Sequence, residues 1–170
     1  MLKIEPGQTV GEIGAGDGTL TIAVAKAVGL SGRVLSNELN PDRVKAIANA
    51  AEQAGLTNVM VVDAGATETR FPEQCCDALF MRDVYHHFGQ PHEMNASLFK
   101  SLKPGGRLGV IDFGPPPGQE STTPSERSVD GHHGITAPTL ERELKAAGFE
   151  ILSSNALDGR LFMIVAQRPQ

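Results

Sequence analysis

The run Val10 to Leu20, VGEIGAGDGTL, limits what this chain can fold into more than any other stretch. A short apolar segment, Thr9 to Ile13, ends in a turn carrying Gly14, Gly16 and Gly18, and an amphipathic segment begins directly after it. Strand, glycine turn and helix in that order open a nucleotide-binding α/β unit. Glycines in such a turn supply backbone angles closed to other residues, and they let a ligand lie against bare main chain.

The rest of the chain repeats the alternation. After a first helix from near Thr19, with Leu20, Ala23, Val24, Ala27 and Val28 expected on its inner face, come strands at Arg33–Glu38, Val59–Asp63, Asp77–Met81 and Arg107–Asp112. Asn40 is placed to cap a helix that has Pro41 at its first position, with Val44, Ile47, Ala51 and Ala54 inward. A helix after Pro91 turns Met94, Leu98 and Leu102 inward, and another, Thr136 to Ala147, turns Leu140, Leu144 and Ala147 inward. Two closing strands, Phe149–Asn155 and Arg160–Gln167, flank a turn at Asp158-Gly159 and suit an antiparallel hairpin. Strands separated by helices predict a mostly parallel sheet covered on both faces. Residues 113–134 break the pattern: the stretch is rich in Pro, Ser, Thr and Gly, and is expected to be a lid or mobile loop.

Composition narrows the function classes. The 170 residues, 40% of them hydrophobic, suit one domain, and no apolar run reaches the length of a membrane span. A net charge of −5 argues against a general affinity for nucleic acid. No secretory leader is evident, which predicts a cytoplasmic protein with no membrane partner. The two cysteines, adjacent at 75 and 76, fit a reducing compartment and are expected to be unpaired packing residues.

Charge around the glycine turn separates two ligand classes. A dinucleotide site uses G-x-G-x-x-G, yet here Thr19 holds the third position and Gly18 comes one residue early. Glu12 and Asp17 bracket the turn. Carboxylates repel a pyrophosphate and attract a ligand that carries a sulfonium and an ammonium. Glu38, twenty positions after Gly18, ends the second strand where an acid can accept both hydroxyls of a ribose. Asp63 ends the third strand and is placed to accept from an adenine amino group.

With these residues the chain resembles the class I, Rossmann-like S-adenosylmethionine-dependent methyltransferases from about Gly7 to its C-terminus. GEIGAGDG resembles the family's first motif, SNELNPDRV its ribose-binding segment, LKPGGRLGVIDF its fifth strand and LKAAGFEIL its last helix and sixth strand. The resemblance implies a seven-stranded, mostly parallel sheet with one antiparallel strand and helices on both faces. It implies S-adenosyl-L-methionine as cofactor, held by Glu12, Gly14, Ala15, Gly16, Gly18, Glu38, Leu39, Asp63, Ala64, Arg82 and Tyr85. The VYHHF loop is most like that of small methyltransferases with undefined acceptors. The motif of enzymes that methylate amino nitrogens on bases or glutamine is missing: its place reads Arg82-Asp83-Val84-Tyr85. Only eight residues precede Thr9, so a cap over the cofactor is expected from residues 113–134, from a second copy of the chain in a homodimer, or from residues beyond the given sequence.

In-line methyl transfer needs collinear alignment in a dry pocket, and a base only when the acceptor must lose a proton. Asp83, His86 and His87 follow the fourth strand, where acceptor meets methyl group, and are the catalytic candidates. Either histidine suits a base. Alternatively, Tyr85 and His86 wall the cofactor pocket and His87 packs against the next helix, while Asp83 bonds the acceptor or the methionine ammonium. His92, His132 and His133, with Asp112 and Asp130, have no diagnostic ligand spacing, so no metal is expected; His132 and His133 read as the tip of the lid. The expected function is methyl transfer to a small-molecule acceptor. A nicotinamide-dependent oxidoreductase, a protein carboxyl methyltransferase and a non-catalytic cofactor-binding subunit stand as alternatives.

Overall fold

In a computed structural model, which describes residues 2–121, 123–129 and 132–170, the expected alternation becomes one seven-stranded sheet. The elements are β1 (Thr9–Ile13), α1 (Thr19–Val28), β2 (Arg33–Glu38), α2 (Pro41–Gln53), β3 (Val59–Asp63), β4 (Cys76–Arg82), α3 (Pro91–Ser101), β5 (Leu102–Phe113), α4 (Ala137–Ala146), β6 (Glu150–Ala156) and β7 (Leu161–Gln167). Strand order is β3-β2-β1-β4-β5-β7-β6, and β7 alone runs antiparallel to its neighbours. The chain moves outward from β1 to β3 and then returns to lay β4 on the other side of β1. Ligands of open α/β sheets bind in the crevice that such a reversal leaves beyond the strand ends.

Local chemistry explains the element ends. The Asn40 side chain accepts the N–H groups of Asp42 (2.9 Å) and Arg43 (3.4 Å), which satisfies two donors at the start of α2. Exposed Asp17 does similar work for α1, accepting the Thr19 N–H at 2.9 Å. β5 begins at Leu102, ahead of the Arg107 start expected for the fifth strand, and takes in Lys103–Gly106. Its pairing with β4 jumps from Cys76↔Leu102 to Ala78↔Arg107, so the extra residues bulge out of the ladder.

The sheet buries two apolar layers. On one side Val10, Val34, Ala78 and Phe80 pack with Ala25 and Val28 of α1. On the other Leu35, Leu79, Met81, Leu108 and Val110 pack with Met94 and Leu98 of α3 and with Leu140 and Leu144 of α4. The inner face of α1 differs from its apolar pattern. Thr21, Ala25 and Val28 are buried, whereas Leu20 is 37% exposed and Ala23 and Ala27 face solvent. Thr21 is drawn inward because its hydroxyl donates to the carboxylate of Glu12 on β1.

One further expectation changes. Cys75 and Cys76 are bonded to each other as a vicinal disulfide at the entrance to β4, rather than standing as separate packing residues. The described part of residues 113–134 is bonded to the body of the domain. Its Arg127, 1% exposed, forms a two-pronged pair with Glu143 of α4 (2.6 and 3.1 Å). Glu143 in turn accepts from the Tyr85 hydroxyl at 3.1 Å, and that hydroxyl accepts from Asn95 of α3 at 2.7 Å. Gly134 N–H returns to the Arg127 carbonyl, and Ile135 N–H to that of Phe113, both at 2.9 Å. Asp130 lies outside the described residues.

Removing one member of a buried ion pair strands the other charge and costs about 3–5 kcal/mol. Arg127→Ala is therefore expected to lower unfolding free energy by about 3 kcal/mol in urea denaturation; a loss under about 1 kcal/mol would show that the pair anchors little.

Candidate functional site

The glycine turn is held open by the end of β2. Asn37 Oδ1 accepts the Gly14 N–H at 3.0 Å, its carbonyl accepts the Ala15 N–H at 2.9 Å, and its Nδ2 donates to the Thr69 carbonyl at 2.8 Å. Next to it, Glu38 accepts the N–H groups of Gly16 (2.8 Å) and Asn40 (3.0 Å). Each carboxylate oxygen has a second acceptor direction, so Glu38 keeps capacity for a ligand's hydroxyls. Gly14, Gly16 and Gly18 all have φ between 58° and 78°. At Gly14 a Cβ would also sit 2.7 Å from a methyl of Val84, whereas at Gly16 it would meet nothing within 4 Å. Gly16 therefore offers bare backbone to open space, as a close-lying ligand requires.

Above this turn lies a cavity of about 610 Å³, within the range of small-ligand sites. Ile13, Gly14 and Gly16 form its floor. Asn37, Glu38, Leu39 and Arg43 form one side with Ala64, Gly65 and Ala66, and Arg82, Asp83, Val84, His87, Phe88 and Met94 form the other. Asp83 enters it from a left-handed backbone (φ 55°) that is costly for a residue with a side chain, pinned by an N–H to Ile111 carbonyl bond of 2.9 Å. Its carboxylate pairs with Arg82 at 3.4 Å, both side chains about half exposed.

Of the residues read from the sequence, Gly14, Gly16, Glu38, Leu39, Ala64, Arg82, Asp83 and His87 are brought together on this wall. Glu12, Ala15, Gly18, Asp63, Tyr85 and His86 are not on it. Gly18 packs under the turn against Ile47, and Asp63 stands exposed at the end of β3, in register with Glu38. Tyr85 is fully buried in the core on its bonds to Asn95 and Glu143, and this burial raises its hydroxyl pKa. His86, 1% exposed, turns inward to Asp112. Sequence reasoning did not single out Asn37, Arg43, Phe88 or Met94; the latch residue Asn37 follows a polar-apolar strand end that gives no separate signal.

Glu12 lies beneath the cavity at 3% exposure, and its carboxylate faces Thr21 and, at 3.4 Å, Ser36. Burial raises its pKa to about 7, against the downward pull of the two hydroxyls and with a small upward push from Asp17. It supports the turn by tying β1 to Thr21 of α1 and Ser36 of β2. Partial burial and the neighbouring imidazoles of His86 and His133 lower the pKa of His87 from its ordinary value, against an upward pull from Asp112.

A methyltransferase domain family matches residues 10–106, more than half of the chain. The chain is 32% identical over 112 residues to the ubiquinone/menaquinone biosynthesis C-methyltransferase UbiE of Vibrio vulnificus, a match covering 65% of this chain and 43% of that protein. It thus spans less than half the length of such relatives. Among solved structures, a SAM-dependent methyltransferase from Aquifex aeolicus superposes with a TM-score of 0.83 at 22% identity, covering 98% of this chain and 85% of the other. The [4+2]-cyclase SpnF superposes with a TM-score of 0.82 at 19% identity, covering 98% and 76%. At these identities the structural likeness shows the fold alone.

The Glu12 pKa has a measurable consequence. Between pH 4.5 and about 7 the folded chain keeps a proton that the unfolded chain releases, so this group's contribution to stability falls as pH rises through that window and is flat above it. Glu12→Gln is permanently neutral. Its stability relative to the parent is expected to improve by about 3 kcal/mol from pH 4.5 to pH 8 in urea titrations; a difference independent of pH would contradict the assignment.

Proposed function

Because the chain belongs to the class I S-adenosylmethionine-dependent methyltransferase family, whose cofactor is S-adenosyl-L-methionine, we propose that it transfers a methyl group from that cofactor to a small-molecule acceptor. The observation that carries this reading is the glycine-floored cavity with Glu38 on its rim. The residues present fit the cofactor. Gly16 leaves space where a side chain would intrude, and Glu38 holds a carboxylate at the place where ribose hydroxyls donate. Leu39, Ala64 and Ala66 supply an apolar flank for an adenine ring. Bound there, the cofactor supplies an electrophilic methyl on a good leaving group.

What the chain itself contributes is position and dryness. Phe88 and Met94 close one end of the cavity with apolar surface, and Asp83 and His87 are the polar groups beside them. That end is the acceptor's place. The fixed backbone of Asp83 keeps its carboxylate on the wall, where it holds an acceptor hydroxyl or the methionine ammonium. A cavity of about 610 Å³ shared with the cofactor admits a compact acceptor. Relatives named as C-methyltransferases of quinone biosynthesis make an electron-rich ring carbon the first acceptor atom to test.

Calorimetry is expected to show binding of S-adenosylmethionine and of S-adenosylhomocysteine, with no binding of NADH. Glu38→Ala should weaken both by about 10- to 100-fold, the value of hydrogen bonds to a charged group. Absence of cofactor binding, or full affinity in the Glu38 variant, would overturn the reading.

A further inference from the structure

At the acceptor end of the cavity three imidazoles converge from two distant parts of the chain. His86 and His87 lie on the single turn after β4, and His133 arrives from the segment after β5. One ring nitrogen from each falls within 4.8 Å of the others. His86 is fixed from behind. Asp112, fully buried on β5, takes its Nδ1–H at 2.8 Å and its backbone N–H at 3.1 Å, and also accepts the Phe113 N–H at 2.8 Å. With its Nδ1–H on that carboxylate, the His86 ring is turned to the tautomer whose Nε2 lone pair points outward. Facing that lone pair, 2.9 Å away, is Nε2 of His133.

We propose that His86, His87 and His133 form a binding site for a divalent transition-metal ion of the zinc class. A carboxylate that orients a histidine whose other nitrogen points into a cluster of imidazoles is the arrangement that fixes tautomer and direction in metal sites. Three nitrogens on a tetrahedral ion at 2.0–2.1 Å stand about 3.3 Å apart. The His86–His133 separation needs a few tenths of an ångström of opening, and the exposed His87 and His133 rings have the freedom to close on the ion. An all-imidazole donor set selects zinc, cobalt, nickel, copper or iron over magnesium or calcium, which take oxygen ligands. Phe113, whose ring centroid lies 4.7 Å from that of His86 and 5.1 Å from that of His133, covers the cluster with an apolar face.

Three protein ligands leave a fourth position open, the mark of a working rather than a structural ion. His87 also lines the cavity, so that position opens toward it. Resting on the methyl-transfer reading, the fourth ligand would be an oxygen of the acceptor: on the ion a phenol, enol or hydroxyl would give up its proton to solvent water more readily, and the oxygen or the carbon it activates would bond to the methyl carbon as the methyl–sulfur bond breaks and S-adenosylhomocysteine leaves. The site thereby selects acceptors with an oxygen at or next to the methylated atom.

The test uses the full chain stripped with a chelator and titrated with Co²⁺ alone, without cofactor. One equivalent should bind, give the intense visible band of a tetrahedral ion, and be displaced by Zn²⁺ but not by Mg²⁺. His87→Ala and His133→Ala, both at exposed rings, should fold as the parent does by circular dichroism and lose at least about 10-fold in affinity; Asp112→Asn should lose about 10- to 100-fold. His92→Ala and His132→Ala should bind as the parent. No stoichiometric binding, or binding unchanged in His87→Ala and His133→Ala, would overturn the proposal, leaving the three rings as a hydrogen-bonded cluster only. Cofactor affinity measured on the same preparations reports separately on the methyl-transfer reading.

Discussion

The grip of β2 on the glycine turn is the interaction on which the cavity depends. Three left-handed glycines in five residues form a turn whose amides point in directions that no helix or strand uses, and buried amides left unpaired are expensive. Asn37 and Glu38 supply the partners for Gly14, Ala15 and Gly16. They can do so because β1 and β2 are parallel and in register through Ile13↔Asn37, so both strands end at the same height. From below, Glu12 ties the strand to α1 through Thr21 and to β2 through Ser36. Pairing, register and two buried carboxylates together hold one loop in one shape.

Beyond the turn, a second polar system sets the opposite wall. Asp112 fixes the backbone and ring of His86, while Tyr85, the preceding residue, is held in the other direction by Asn95 and Glu143. The short turn between β4 and α3 is thus clamped from both sides, and His87, next in sequence, is aimed at the cavity as a result. Arg127 extends the same system into the segment after β5. That segment also carries His133, which meets His86 at the site.

The architecture could be read from the chain because its signals are local. Apolar periods, Asn40-Pro41 and the glycine turn each act within a few residues, and the strands were placed to within one or two positions, except at β5. The inner face of α1 was misread for a related reason. Thr21 is buried by a hydroxyl–carboxylate bond to a residue on another element, and apolar spacing carries no trace of it. The bulge at the start of β5 was likewise invisible, since only its partner strand reveals that the residues remain in the sheet. At the site, Gly14, Gly16 and Glu38 were legible as a spaced motif. The histidine cluster was not: its members stand 47 positions apart, and Asp112 is 26 from His86.

The two walls of the cavity come from different lengths of chain. Everything that grips the turn, from Glu12 to Thr69, lies inside the stretch that matches the methyltransferase domain, residues 10–106. The far wall, Arg82 to Met94, lies inside it too, but Asp112, Arg127 and His133, which brace the turn carrying that wall, lie outside it. Mutation can therefore rework the bracing of the far wall by insertion, deletion or exchange of the arm after β5 while both walls keep their place in the sheet. A chain built this way is suited to inherit the lining of its pocket and to diversify what stands behind it. Exchanging residues 113–134 between relatives is the natural route by which its chemistry would drift.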